Sequence, residues 1–307
     1  VFPLERVGEE LLPGDALRGA GVWRRLGLAA AFLGLGACLL LAASGIRGAD
    51  GTRIETVELF EGRGRLYLPS GAAGAAVLLP AHEEGDELVS AGGNVSAALV
   101  LARGLDGAHA LATELSRRGV AALTVDEKTD GAAAWDWLWE QSFVRRGFVA
   151  LLAGNDRGEE ALALAESVSG TPRACAAVVL CGRDSLVEAA ADSPAGNLLL
   201  LTGQEGESEA LTAFYGSAED ARRGFTGYFG ERTARAAVAL GGDEPSFFRP
   251  KALSVTADWL GSALGHSVEI ADDDLICAPI LYCKAGAACC LLLAAGTLLC
   301  GRRKKET

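Results

Sequence analysis

Two kinds of apolar segment alternate with polar ones along this chain. The first kind is long. Residues 26–46 contain no charged side chain and suffice for a bilayer-crossing helix of about 20 residues. Residues 275–301 are similar, interrupted by Lys284. That lysine lies toward one end of the stretch and would snorkel to the interface. Pro279 falls in the first turns, where a spanning helix tolerates it.

The second kind is short and lies between these two. Residues 57–60 and 65–68 read as strands joined by a Gly-containing turn, and 75–79 form another brief apolar run. An acidic, Gly-containing loop over 83–94 follows. The pattern then predicts strands at 97–102, 120–125, 148–152, 176–180, 198–202 and 234–240. Helical periodicity occupies 111–118, 132–144, 159–168, an insertion over 207–223, and a closing helix over 251–264. Such alternation implies an α/β fold, a mainly parallel sheet with helices on both faces. Its strands are near-continuous apolar runs, as burial on both faces requires.

Flanking charge orients the long segments. Arg18, Arg24 and Arg25 precede the first, and Arg302, Arg303, Lys304 and Lys305 follow the second. Basic flanks stay cytoplasmic, which puts both termini inside and the intervening domain outside the cell membrane. The predicted organisation is a cytoplasmic tail (1–25), a transmembrane helix (26–46), an α/β domain (47–265), a second transmembrane helix (275–301) and a basic cytoplasmic tail (302–307). A cleaved signal peptide competes for the first segment, since Ala42-Ala43-Ser44 offers small residues, but the apolar stretch exceeds a usual signal core.

The net charge of −12 argues against a nucleic-acid partner, which would want basic faces. The membrane is the expected partner, with a small-molecule ligand or a membrane protein as the others. Six of the eight cysteines (Cys38, Cys277, Cys283, Cys289, Cys290, Cys300) lie within or beside the long apolar segments, and Cys175 and Cys181 share one predicted strand. No disulfide framework or C-x-x-C zinc pattern follows. No cofactor is expected.

The segment with chemistry is Gly154-Asn155-Asp156-Arg157-Gly158, between an apolar strand and a helix. That is the strand–turn–helix setting of a G-x-S-x-G nucleophile elbow, with a carboxylate in place of the serine. The surrounding order of elements resembles the α/β-hydrolase superfamily, in particular its dienelactone-hydrolase, acyl-esterase and prolyl-oligopeptidase-like branch in a bacterial membrane-anchored form. Residues 98–107 resemble the strand and loop that help build an oxyanion hole. Residues 115–126 resemble the next helix end, strand and aspartate turn, and 136–158 the helix, strand and elbow. The resemblance implies an α/β-hydrolase fold flanked by two transmembrane helices.

It also implies where catalytic groups should stand. Asp156 occupies the nucleophile position. The acid should follow the seventh strand, where Glu205 and Glu207 are available. A histidine should follow the last strand, yet that loop carries Asp243 and Glu244 instead. The three histidines of the chain are His82, His109 and His266. Serine hydrolysis needs an imidazole to take and return the proton. Asp156 as an alkyl-accepting nucleophile would need a histidine-activated water to release its ester. The expectation is therefore a domain related to hydrolases by descent that no longer turns over, acting as a binding or scaffolding module. Its alternatives are an active hydrolase of ester, amide or alkyl substrates through Asp156, and a subunit of a membrane complex.

Blander roles stand beside these. Asp156 would pair with Arg157 or Arg103, and Arg103, Gly104, Arg157 and Glu244 would line the pocket. Clustered carboxylates from the elbow and the two later loops would otherwise suit a hard cation, with the arginines opposing it. Trp135, Trp137 and Trp139 are expected to pack in the core, and His109 to be an exposed or capped histidine. The loop over 83–87 reads as solvated surface, and Asn94-Val95-Ser96 matches a short glycosylation pattern.

Overall fold

The computed structural model describes residues 26–43, 52–59, 62–69, 95–102, 107–183, 185–203, 209–241, 245–265 and 277–299. The chain divides into two units, Val1–Ala49 with Ala278–Thr307 and Asp50–Cys277. The larger unit holds a nine-stranded sheet in the order β1-β2-β4-β3-β5-β6-β7-β9-β8. These strands are β1 (Arg53–Leu59), β2 (Gly62–Leu68), β3 (Val95–Leu101), β4 (Val120–Val125), β5 (Val144–Gly154), β6 (Ala177–Cys181), β7 (Leu198–Thr202), β8 (Phe225–Thr226) and β9 (Arg235–Ala239). β1 and β2 form an antiparallel hairpin, β2 is antiparallel to β4, and β8 is antiparallel to β9. The six strands from β4 to β9 across the middle are parallel. An antiparallel second strand, a crossover that exchanges the third and fourth, and parallel strands beyond them constitute the α/β-hydrolase fold.

Helices cover both faces. On one lie α3 (Gly131–Glu140), α4 (Gly158–Val168), α5 (Ser185–Ala191) and α6 (Glu209–Tyr215), over a core that includes Leu99, Leu123, Leu151 and Leu180. On the other lie α2 (Ala108–Arg117) and α8 (Pro250–Leu264), over Val100, Ala122, Leu152 and Val179. Successive strand residues point to opposite faces, so a strand covered on both must be apolar throughout. β6 meets this condition fully, and β3, β4 and β7 meet it with one small hydroxyl residue each, Ser96, Thr124 and Thr202. Leu99, Leu123 and Leu151 stand in register and are fully buried, each contributing about 1.5–3 kcal/mol by burial.

The strands predicted at 97–102, 120–125, 176–180, 198–202 and 234–240 recur within a residue or two. β1 begins four residues before the predicted 57 and β2 three before 65, β5 begins at Val144, and β8 was not expected. The helix expected over 132–144 ends instead at Glu140, and Gln141 is extended. Phe143 and Val144 are drawn into the core, and Val95 N–H donates to Phe143 O at 3.1 Å; tertiary burial overrides local helical preference there. Asp130 caps α3 by accepting from the amides of Ala132 and Ala133. The helical insertion over 207–223 is two short helices, α6 and α7 (Ala218–Arg223), broken at Gly216 with φ 80°. Helix α5 was not expected. Residues 75–79, the loop 83–94 and Asn94 lie outside the described residues.

Trp135 and Trp139 are buried and stack at 6.4 Å between ring centroids, while Trp137 packs against the same core. The tryptophan stripe is therefore core. Trp259 of α8 donates its indole N–H to Asn197 O at 2.8 Å, tying α8 to the start of β7.

The smaller unit contains α1 (Leu26–Ala43) and α9 (Cys277–Leu299). Helix α1 is long and apolar enough to cross a membrane, with a mean hydropathy of 2.3. In α9 the apolar stretch is shorter, Tyr282–Leu298. The two helices meet at small residues. A Cβ on Gly36 would lie 3.4 Å from Cys290 Cβ, and one on Gly286 would lie 3.0 Å from Leu39 Cδ1.

Candidate functional site

Strand β5 ends at Gly154, a 3-10 turn spans Asn155–Arg157, and α4 starts at Gly158. The turn stands at the carboxyl edge of a central strand, where α/β folds present their functional groups. Gly158 lets α4 begin close to α5: a Cβ there would lie 2.5 Å from Leu186 Cδ1 and would push that buried side chain aside. Asp156 is exposed at the tip.

Its backbone is ordinary. Among the described residues, the non-glycine residues with left-handed φ are Asn197 and Arg232. A serine nucleophile sits on a sharp, strained turn that lifts its side chain above the sheet; this elbow carries Asp156 in a relaxed 3-10 turn instead.

Arg157 points the other way. It is buried, and its fork grips Glu160 through Nε–Oε2 (2.6 Å) and Nη2–Oε1 (2.5 Å). Nη2 also donates to Thr129 O (2.7 Å) and Nη1 to Asp126 O (3.4 Å). Glu160 Oε1 accepts from Gly131 N–H at 2.9 Å. Arg157 and Glu160 together fasten the β4–α3 loop to the first turn of α4. The expected pairing of Asp156 with Arg157 is thus replaced by one with Glu160. The reason is reach: residues three apart on a helix face each other, while neighbours diverge.

Asp156 opens into a cavity of about 330 Å3 shared with Glu159, Arg183, Ser185 and Leu186. Arg183 follows the end of β6 and Ser185 begins α5, so the cavity lies between the tips of β5 and β6. Two carboxylates and one guanidinium give it mixed charge. Among the described residues, no group of three or more His, Cys, Asp or Glu side chains is arranged to hold a metal ion.

Of the residues singled out in the sequence, Asp156 and Arg157 are described; Arg103, Gly104, Glu205, Glu207, Asp243 and Glu244 lie outside the described residues, as do His82 and His266. Next to the last of these loops, Arg249 Nη1 donates to Leu240 O (2.7 Å) and to Gly241 O. His109 is exposed in the first turn of α2, with Nδ1 2.8 Å from the hydroxyl of buried Tyr67. It does not line the Asp156 cavity. Arg183, Ser185 and Glu160 were missed in the sequence. The i, i+3 spacing of Arg157 and Glu160 would have revealed one of them, and the position of Arg183 just beyond a parallel strand another.

No protein-family model matches this chain, and no curated protein matches it. Solved structures similar to it include esterase 2 of Thermogutta terrifontis phosphorylated by paraoxon, at 12% identity and TM-score 0.43 over 69% of this chain and 94% of that one. A dienelactone hydrolase of Anabaena variabilis is 19% identical, with TM-score 0.43 over 71% of this chain and 99% of that one. A carboxylesterase described as putative, from Lactobacillus plantarum, is 12% identical, with TM-score 0.39 over 70% and 97%. The fold is identified here by strand order and direction in the sheet.

Proposed function

We propose that this protein is a membrane-tethered, hydrolase-like domain that binds a small molecule at the carboxyl edge of its sheet and does not cleave it. One observation carries the reading: the elbow presents Asp156 from a 3-10 turn without left-handed φ, in a cavity whose described lining is two carboxylates, a guanidinium, a serine and a leucine, with no imidazole among these described residues. Acyl transfer requires a nucleophile and a base within hydrogen-bond reach of each other. A carboxylate nucleophile without an imidazole to activate water would be trapped at its own ester. The described histidine, His109, serves a different cavity beside Tyr67.

The tether is a pair of helices, α1 and α9, contacting each other through Gly36, Gly286, Ala287 and Cys290. Small residues permit that approach in a bilayer. With basic flanks at both outer ends, both termini are cytoplasmic and the α/β domain lies outside.

The test is turnover by the purified full chain in detergent. Short-chain nitrophenyl esters should be hydrolysed no faster than in buffer, and a fluorophosphonate probe should not label the protein. Ester hydrolysis above the blank that disappears in Asp156→Asn would overturn the reading and restore an aspartate-nucleophile hydrolase.

A further inference from the structure

A second cavity opens at the same edge of the sheet and, among the described residues, shares no lining residue with the one at Asp156. It measures about 320 Å3 and is walled by Arg65 of β2, His109 of α2, Thr124 and Val125 of β4, and Asp126 and Glu127 just beyond β4. Arg65 stands opposite Thr124, and Asp126 N–H continues the ladder by donating to Arg63 O at 3.0 Å. Residues two apart along a strand share a face, which makes Arg65 and Asp126 diagonal neighbours at about 7–8 Å, within reach of long side chains.

These two charges do not meet. Among the described residues, Arg65 contributes its carbonyl to a hydrogen bond with Thr124, and Asp126 its backbone N–H and carbonyl, while neither charged head makes a hydrogen bond or ion pair. The position of Asp126 is nonetheless fixed. Its carbonyl accepts from Arg157 Nη1 and from Thr129 N–H, and Arg157 is itself locked to Glu160. The opposite wall is fixed as well, by the contact of His109 with Tyr67. Buried Val125 and Thr124 close the floor.

We propose that this cavity binds a small zwitterion of the α-amino-acid class, with its carboxylate on the Arg65 guanidinium and its ammonium on Asp126. The guanidinium fork matches a carboxylate with two parallel hydrogen bonds, and an ammonium donates to carboxylate oxygens. A ligand bearing one charge satisfies one wall and leaves the other in contact with its uncharged end. The volume lies at the small end of ligand pockets, which favours an amino acid with a short side chain. This site stands whether or not the elbow catalyses anything.

Calorimetry on the full chain in detergent tests it, using L-alanine and L-serine, with propionate and propylamine as single-charge ligands. Saturable binding of the amino acids is expected, with either single-charge ligand weaker by about tenfold or more, a difference of about 1.4 kcal/mol. Arg65→Met and Asp126→Asn should each weaken the amino acids to a similar degree, while Arg173→Gln, on the exposed surface, should not. Absence of saturable heat at millimolar amino acid would overturn the proposal. So would propionate or propylamine binding as tightly as L-alanine to the unaltered protein, a comparison that does not depend on any variant folding.

Discussion

Arg157 is where the elbow departs most clearly from a catalytic turn, and Arg157→Met tests whether its role is structural. The substitution keeps the apolar stem and removes the fork that holds Glu160, Thr129 O and Asp126 O. Breaking a fully buried ion pair from one side costs about 3–5 kcal/mol, because the partner is left charged and unpaired. The Glu160 side chain is 37% exposed against 10% for Arg157, so water recovers part of that loss and about 2–3 kcal/mol is expected. For a domain of this size the melting temperature should fall by about 4–12 °C. The assay is near-ultraviolet circular dichroism of the full chain on heating, which follows the packed tryptophans and not the detergent-embedded helices. Glu160→Gln should lose less, since the amide oxygen still accepts from Gly131 N–H. The double variant should lose less than the two single losses added. An Arg157→Met melting curve superimposable on that of the unaltered protein, or additive losses in the double variant, would refute the clamp.

Three further outcomes follow from the packing. Glu114, fully buried on α2, is paired with Arg118 at 2.6 Å and Arg117 at 3.3 Å, so Glu114→Ala should cost about 3–5 kcal/mol in chemical denaturation. Gly107 has φ 95°, and a Cβ there would stand 2.7 Å from Phe248 N; Gly107→Ala should lose about 1–2 kcal/mol from the backbone alone, and more from displacement of the 247–248 segment. Burial pushes the Cys175 thiol from 9.0 up to about 12, and burial also raises the Tyr215 hydroxyl. Both are neutral in the folded state. Their contribution to stability is complete below the unfolded values and is lost as pH rises through the window from about 9 to 12. Denaturant midpoints should fall across that window, less steeply in Cys175→Ala.

How much was legible from the chain alone varied with the range of the interactions involved. The alternation of apolar runs with amphipathic stretches located β3 through β7, β9, α3, α4 and α8, because a strand buried on both faces can hardly be written otherwise. Boundaries moved where long-range burial outweighed local preference. Phe143 and Val144 joined β5, not the preceding helix, and Gly216 split the 207–223 insertion in two. The elbow was visible as a motif, and so was the missing serine.

What Arg157 does was not visible in the same way. From the sequence, Asp156 was its natural partner; the fold brought Thr129 and Asp126 from another loop, and Glu160 from the next turn, to take the guanidinium instead. The second cavity was decided by tertiary structure alone. Arg65 and Asp126 are sixty-one positions apart in the chain, and nothing local links them. The antiparallel register of β2 on β4 puts them diagonally across one face, and the Tyr67–His109 contact closes the wall beside them. Apolar periodicity encodes which residues leave water, and hence the architecture. Charged side chains carry no periodic signal, so the groups that face one another across a cavity are set by strand register and helix packing.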